Sequence, residues 1–204
     1  MKLYYSPGAC SLSPHIALLE AGLPYDLVKV DVRAKKLENG DDYLRINPKG
    51  QVPALGLDNG EVLTEGPVIV QMIADKAAGK NLAPSNGSAE RYRLQEWLNF
   101  VTTELHKNFS PLFQPALTDE TKAFFKDRLM GKFKYLDDTL AGQDYLMGKQ
   151  FTVADGYLFV MLKWADRTGM DLSALKNLMA FKARVEARPK VQEALAKEGL
   201  MKAA

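Results

Sequence analysis

Cysteine is nearly absent from this sequence of 204 residues, which contains one cysteine and two histidines. A single cysteine cannot form a disulfide within the chain, and this usage fits a reducing compartment. We therefore expect a cytoplasmic location. The sequence also lacks any spacing of Cys, His and Asp that is typical of a metal site, so we expect neither a metal nor a prosthetic group.

Strong net charge and long apolar runs are missing as well. The formal net charge is +2 and the basic residues are dispersed, which argues against nucleic acid or an anionic membrane as a partner. No apolar run approaches membrane-spanning length, and the opening residues MKLYYSPGA lack the apolar core of a signal peptide. An apolar content of 47% is typical of a globular protein with a sizeable core.

Strand and helix signals alternate over residues 1–80. KLYYS predicts a strand, Ser11 to Ala21 a helix stopped by Gly22, and YDLVKVD a half-buried strand. The next segment is polar and irregular, with one helical turn near DDYLRI. VPALGL and EVLT flank Asp-Asn-Gly and predict a hairpin, and EGPVIVQMIADKAA predicts a helix. The predicted order is β-α-β-α-β-β-α, which is an α/β domain.

A linker is predicted at residues 81–87, where Gly, Pro, Ser and Asn are concentrated. Beyond it the strand signals end and apolar residues recur at helical spacing. FTVADGYLFVMLKWA is apolar on nearly all sides, which predicts a buried central helix. Thr152 and Asp155 form an N-terminal capping box for it. Residues 88–204 are therefore predicted to form an all-α domain.

Cys10 is the first candidate for chemistry, because it falls where a strand turns into a helix. Most free cysteines are small buried hydrophobes. A thiol at a helix N-terminus, however, gains nucleophilicity because backbone N–H groups and the helix dipole favour the thiolate. We favour a reactive thiol. Ser13 occupies the position that the second cysteine has in a Cys-X-X-Cys motif. A redox-active Cys10 would therefore need an external thiol.

Two further features of the α/β domain could bind a ligand. A cis Val52–Pro53 bond would present the Val52 backbone to a peptide-like molecule, although the residues alone slightly favour an ordinary trans bond. Glu65 and Gly66 begin a helix, whose N-terminus can bind a carboxylate of a ligand. The Glu65 side chain could instead form an ion pair with an ammonium group of a ligand. The residues alone favour a simpler role, in which the Glu65 carboxylate only interacts favourably with the helix dipole.

A polar stripe is predicted on the helix WLNFVTTELHK, where Asn99, Thr103 and His106 follow at i, i+4 and i+7. It could be a solvated face, but such faces carry Lys and Glu more often than Asn, Thr and His. Tyr157 and Trp164, on the buried helix, are interpreted first as core residues. At a domain junction they could also line a substrate pocket.

These segments together resemble the glutathione transferases, and specifically the bacterial beta class, which carries a cysteine in its active site. The resemblance lies in MKLYYSPGACSLSPHIAL, NPKGQVPALGLDNGEVLTEGPVIVQ, RYRLQEWLNF, ELHK, FSPLF, FTVADGYLF and RPKVQEALAKEGL. It covers essentially the whole chain, with the motifs in the family's order. It implies a thioredoxin-like N-terminal domain with a mixed sheet, a C-terminal helical bundle and a homodimer.

The resemblance also implies site residues, with glutathione as the co-substrate. Cys10 would face the glutathione sulfur and could form a mixed disulfide with it, and Lys35 would meet the glycyl carboxylate. Val52, before a cis Pro53, would pair with the cysteinyl backbone. The implied ligands of the γ-glutamyl end are Glu65 and Gly66. The residues implied to line the site near the thiol and the dimer cleft are Asn99, Thr103, Glu104, His106 and Lys107.

The expected activity is conjugation of reduced glutathione to small hydrophobic electrophiles, with Cys10 supporting thiol–disulfide exchange and His106 assisting thiol activation. One alternative is that thiol transfer or peroxide reduction is the main activity. Another is a glutathione-binding stress protein without turnover, because a fold does not fix a function. No spacing in the sequence is diagnostic of the electrophile.

Overall fold

A mixed sheet organises the first part of the chain. In the computed structural model, which describes residues 1–201, this five-stranded sheet has the order β3-β2-β1-β4-β5. β1 runs parallel to β2, because a helix crosses between them, and the other neighbours are antiparallel. The strands are β1 (Lys2–Tyr5), β2 (Asp26–Asp31), β3 (Lys36–Leu37), β4 (Ala54–Gly56) and β5 (Val62–Thr64).

The helices of this part are α1 (Leu12–Ala21) and α2 (Gly66–Lys76), with a 3-10 turn at Tyr43–Arg45. The predicted thioredoxin-like α/β fold is confirmed. Two details differ from the sequence prediction. The segment expected to be irregular contains β3, whose two residues are too few to show a period, and the expected second helix is the 3-10 turn.

The chain divides into two compact units, Met1–Ala83 with Arg188–Ala204, and Pro84–Ala187. The first break lies within the predicted linker. The final helix α8 (Pro189–Lys197), expected in the all-α domain, instead belongs to the first unit. Arg188 explains this, because its guanidinium binds both carboxylate oxygens of Glu20 in α1, at 2.7 and 2.9 Å. Helical periodicity predicts a helix but not the element it packs against.

The second unit is helical throughout its regular structure. The helix α3 (Ala89–Phe100) continues as a π-helical segment, Val101–His106, and a last turn, α4 (Lys107–Phe109). The remaining helices are α5 (Asp119–Thr139), α6 (Val153–Arg167) and α7 (Lys176–Glu186). Within residues 1–201, no helix combines the length and the apolar character that a membrane span requires.

The helix α6 is the buried centre that the sequence predicts. Its side chains are buried from Val153 to Leu162. The predicted capping box is confirmed, with the Asp155 carboxylate accepting the Thr152 N–H at 2.7 Å. The same carboxylate accepts the Leu146 N–H at 2.8 Å, so it also fixes the loop before the helix.

Candidate active site

Cys10 lies in the turn just before α1, which begins at Leu12. The thiol is half-buried and donates to the Val52 carbonyl oxygen at 3.1 Å. The turn is closed by Ser11, whose hydroxyl accepts from the Ser6 N–H at 3.1 Å and lies 3.2 Å from the Ser6 carbonyl. The only cysteine of the chain is therefore held against the peptide bond that precedes Pro53. That Val52–Pro53 bond is cis, as the resemblance implies and contrary to the slight preference from the residues alone.

The loop Asn47–Pro53 connects the candidate residues of this unit. The buried Asn47 side chain donates to the Gln51 carbonyl at 2.7 Å, and the Tyr43 hydroxyl donates to the same oxygen at 2.8 Å. Burial raises the pKa of Tyr43 to about 12, so this hydroxyl keeps its proton at neutral pH. Both side chains thus hold the loop in a fixed conformation. Neither was predicted as functional, although the Asn-Pro dipeptide is a turn signal.

Lys35 reaches the same loop from the segment between β2 and β3. Its ammonium donates to the Gly50 carbonyl at 2.7 Å, and its own backbone adopts a φ of 58°. Positive φ is uncommon for a residue with a Cβ and concentrates at ligand sites, where it is held by surrounding structure. Among the described residues, Lys35 shares this feature with Glu65 and Asn81. Two of these three residues are predicted ligand residues.

Gly50→Ala is expected to destabilise the first unit by about 2 kcal/mol, since its φ of 62° disfavours a side chain. A Cβ there would also lie 3.1 Å from Leu44 Cδ2 and from Lys35 Cδ. Gly40→Ala is the matched control, because Gly40 has a φ of 90° and nothing within 4 Å of its built Cβ. Urea unfolding should show a smaller loss of unfolding free energy for Gly40→Ala. Equal losses in the two variants would contradict a contribution from crowding around position 50.

Glu65 and Gly66 lie beside the cis proline at the start of α2. A Cβ built on Gly66 would lie 3.8 Å from Pro53 Cγ. Glu65, with a φ of 68°, presents its carboxylate to the Lys49 ammonium at 2.5 Å. The two side chains are 64% and 49% exposed, so this ion pair contributes little to stability. An ammonium group of a ligand can therefore replace Lys49 at small cost.

A buried network supports the loop before Cys10. The Glu198 carboxylate, beyond α8, accepts the Gly8 N–H at 2.9 Å and contacts His15 Nδ1 at 2.8 Å. The opposite ring nitrogen of His15 lies 2.9 Å from the Tyr25 hydroxyl. Sequence analysis missed this network, because its members are separated by up to 190 residues. Its signal in the sequence was limited to single polar residues, such as His15 within α1 and Glu198 just after α8.

In the second unit, the π-helical segment interrupts the predicted polar stripe. Its wider turn shifts the phase of the helix, so that Asn99 and Thr103 are exposed whereas His106 is half-buried. The single stripe predicted for these three residues is therefore wrong. His106 Nδ1 lies 2.5 Å from the Tyr157 hydroxyl, and its ring meets Trp164 edge-on with centroids 5.0 Å apart.

Tyr157 and Trp164 are buried, being 3% and 7% exposed. Both contact His106, so they fix the orientation of its ring. They match the interpretation as core residues, and any effect on a substrate would act through His106. The apolar periodicity of the sequence does not predict the π-helical segment Val101–His106.

Glu104 and Lys107 lie further along the same continuous helix, Glu104 in its π-helical segment and Lys107 at the start of α4. Glu104 pairs with Lys132 of α5 at 2.8 Å, and the hydrogen bond from this ammonium lowers the pKa of the Glu104 carboxyl. The Thr103 hydroxyl lies 3.4 Å from Glu104 and donates to the Asn99 carbonyl at 3.2 Å. Lys107 is exposed. Within residues 1–201, no group of His, Cys, Asp and Glu is arranged to hold a metal ion.

Two family models match the chain. The glutathione S-transferase N-terminal domain matches residues 8–76 and the glutathione S-transferase C-terminal domain matches residues 103–198. Glutathione S-transferase GstA of Escherichia coli O157:H7 is 48% identical, over 98% of this chain and 100% of that protein.

Solved structures agree with these matches. A sphingomonad glutathione S-transferase complexed with glutathione is 49% identical, with a TM-score of 0.95 over 98% of this chain and 100% of its own. A bacterial beta class glutathione S-transferase of Sphingomonas chungbukensis is 50% identical, with a TM-score of 0.96 and the same coverage. With the cysteine-containing turn and the α/β and helical units described above, these matches show that the chain belongs to the glutathione S-transferase family.

Proposed function

We propose that this protein conjugates reduced glutathione to small electrophiles and that Cys10 also exchanges disulfides with glutathione. The observation that carries the proposal is the arrangement of the first unit. A half-buried free thiol lies 3.1 Å from the carbonyl before a cis proline, and the N-terminus of α2 lies against that same proline. This arrangement suits an extended peptide that carries its own thiol.

Each end of glutathione would meet an opposite charge. We assign the γ-glutamyl ammonium to Glu65 and the adjoining carboxylate to the N–H groups at Gly66, where the helix dipole favours an anion. Lys35 is assigned to the glycyl carboxylate. The cysteinyl backbone would pair with Val52, which places the glutathione sulfur toward Cys10. The sphingomonad relative, which is described as complexed with glutathione, supports glutathione as the ligand.

Conjugation requires the glutathione thiolate, because a free thiol with a pKa near 8.5 is only a few per cent ionised at neutral pH. We propose that His106, with its ring fixed by Tyr157 and Trp164, accepts a hydrogen bond from this thiol or takes its proton. The sulfur then attacks the electrophilic carbon, a C–S bond forms, and the leaving group departs with its bonding pair. As the family resemblance implies, we also propose substrate-binding roles for Asn99, Thr103, Glu104 and Lys107.

Millimolar glutathione is expected to raise the melting temperature of the protein, because a ligand bound by the folded state alone stabilises it. Glu65→Gln should weaken glutathione binding by roughly tenfold, since it removes the charge that meets the ammonium. Glu61→Gln is the matched control, as Glu61 is exposed in the neighbouring hairpin turn. Equal weakening by both variants would contradict the assignment, and no shift in the unmodified protein would contradict glutathione binding.

The homodimer and the cytoplasmic location are also proposals. The homodimer follows from the family, and light scattering on the purified protein would measure it directly. The location is supported by the single cysteine.

A further inference from the structure

One ion pair joins two segments of the candidate site in the first unit. Lys49 lies in the loop Asn47–Pro53, and its backbone N–H donates to the Asn47 side chain at 3.1 Å. Glu65 immediately precedes α2, and its carbonyl oxygen accepts two N–H groups from the first turn of that helix, both at 3.0 Å. The backbone of each partner is therefore fixed, whereas their side chains meet at the surface, 2.5 Å apart.

The local fold does not require this ion pair. Within residues 1–201, the Glu65 carboxylate accepts no hydrogen bond from the N–H groups of α2, so it does not cap the helix. An exposed ion pair also contributes little to stability. The φ of 68° at Glu65 is nevertheless unfavourable for a residue with a Cβ. Such conformations concentrate at ligand sites, which indicates that the carboxylate is placed for a ligand rather than for the helix.

The second oxygen of the Glu65 carboxylate is available to such a ligand. In the part of the chain that the structure describes, Oε1 meets Lys49 and Oε2 has no hydrogen-bond partner. The next residue, Gly66, begins α2 and has no side chain, so it can offer a ligand only its backbone N–H. This N–H lies at a helix N-terminus, which favours an anion. An anionic group, a cationic group and an anion-binding helix start therefore lie side by side.

We propose that Lys49 binds the α-carboxylate of the γ-glutamyl residue and thereby selects ligands with a complete amino acid group at that end, an inference that rests on the proposed function. The ligand ammonium binds the Glu65 carboxylate, and the Lys49 ammonium transfers its hydrogen bond from Glu65 to the ligand carboxylate. The Gly66 N–H donates to the same carboxylate. Each charge then lies beside an opposite charge. A ligand that lacks the carboxylate displaces Lys49 from Glu65 without giving it a new partner.

The test compares S-methylglutathione with an analogue in which 4-aminobutanoate replaces the γ-glutamyl residue, so that only the α-carboxylate is missing. Both ligands are blocked at sulfur and cannot exchange with Cys10. Calorimetric titration measures their dissociation constants without turnover. Lys49→Met should weaken binding of S-methylglutathione about fivefold, because a charged hydrogen bond is lost while the apolar stem remains. Binding of the analogue should change by less than about twofold.

Lys29→Met is the matched control for this experiment. Lys29 and Glu38 also form an ion pair in the first unit, at 3.2 Å, with side chains that are 47% and 70% exposed. This variant should bind both ligands as the unmodified protein does. Lys49→Arg should retain the preference for S-methylglutathione, because it keeps the positive charge. An equal change for the two ligands in Lys49→Met, or tighter binding of both, would overturn the role of Lys49.

Failure of the proposed function has a separate signature. If the unmodified protein bound neither ligand and conjugated no electrophile with glutathione, glutathione would be rejected as the ligand, and the role of Lys49 would fall with it. If the unmodified protein bound S-methylglutathione and Lys49→Met left that dissociation constant unchanged, only the assignment of Lys49 would be rejected.

Discussion

Asp155→Ala is expected to lower the free energy of unfolding by about 3 kcal/mol at neutral pH, enough to threaten a marginally stable fold. The Asp155 side chain is fully buried. Its carboxylate accepts the N–H groups of Leu146 and Thr152 and the Thr152 hydroxyl, at 2.8, 2.7 and 2.9 Å. Alanine would leave these three buried donors without an acceptor. The effect combines a lost helix cap with a released loop.

The loss of unfolding free energy in Asp155→Ala should depend on pH, because burial shifts the pKa of Asp155. Burial raises the pKa of Asp155 to about 6, outweighing the hydrogen bonds that lower it. The folded protein therefore holds this proton more tightly than the unfolded chain, whose aspartates have a pKa near 3.9. The contribution of Asp155 to stability is complete below about pH 4 and decreases as the pH rises through about 6.

The cost of Asp155→Ala should consequently be larger at about pH 5 than at about pH 7.5, by about 1 kcal/mol. Urea unfolding of the unmodified protein and of Asp155→Ala at the two pH values measures this change in cost. The contributions of other titrating groups are common to both proteins and cancel. Asp171→Ala is the control, because Asp171 also accepts a backbone N–H, from Ser173 at 2.9 Å, but in an exposed turn. A cost that rises with pH, or one no greater than that of Asp171→Ala, would contradict the role of burial.

The capping box shows which features a sequence can predict. Thr152 and Asp155 are three residues apart, and the chemistry of a helix start is local. The hairpin is local in the same sense, since Asn59 and Gly60 permit its turn and Gly60 adopts a φ of 87°. The mixed sheet and the buried helix α6 follow from such signals combined with periodicity.

Features that depend on distant contacts were not predictable from the same signals. The placement of α8 depends on Arg188 meeting Glu20, and the phase of His106 depends on a π-helical turn within α3–α4. The cis isomer of Val52–Pro53 likewise does not follow from the two residues, because few X-Pro bonds are cis. In the candidate site, position made Cys10 a candidate and the family resemblance made Glu65 one, whereas the supporting Asn47 and Glu198 needed coordinates.

The roles assigned to the site residues remain predictions, and Cys10 is the one whose replacement should have the largest effect. Cys10→Ala is expected to reduce the rate of thiol–disulfide exchange on the order of 100-fold or more, because it removes the nucleophile. With a cysteine–glutathione mixed disulfide, the Cys10 thiolate attacks the glutathione sulfur and releases cysteine. A second glutathione then attacks the Cys10–glutathione disulfide, forming oxidised glutathione and restoring the thiolate.

Conjugation should respond differently, because its nucleophile is the glutathione sulfur itself. We expect Cys10→Ala to retain conjugation of a chlorinated nitrobenzene within about tenfold, with its binding of glutathione largely preserved. Measuring both activities on one preparation separates the two roles of the site. Equal loss of both, with glutathione affinity intact, would instead make Cys10 central to conjugation as well.

Ser13→Ala provides the matched control for this experiment. Ser13 stands where a second cysteine would complete a dithiol motif, and its buried hydroxyl has no hydrogen-bond partner within residues 1–201. Its removal should leave both activities and the melting temperature nearly unchanged. If Ser13→Ala reduced exchange as much as Cys10→Ala, the turn before α1 would matter for its structure rather than for its thiol. If Cys10→Ala left exchange intact, the lone cysteine would be a packing residue.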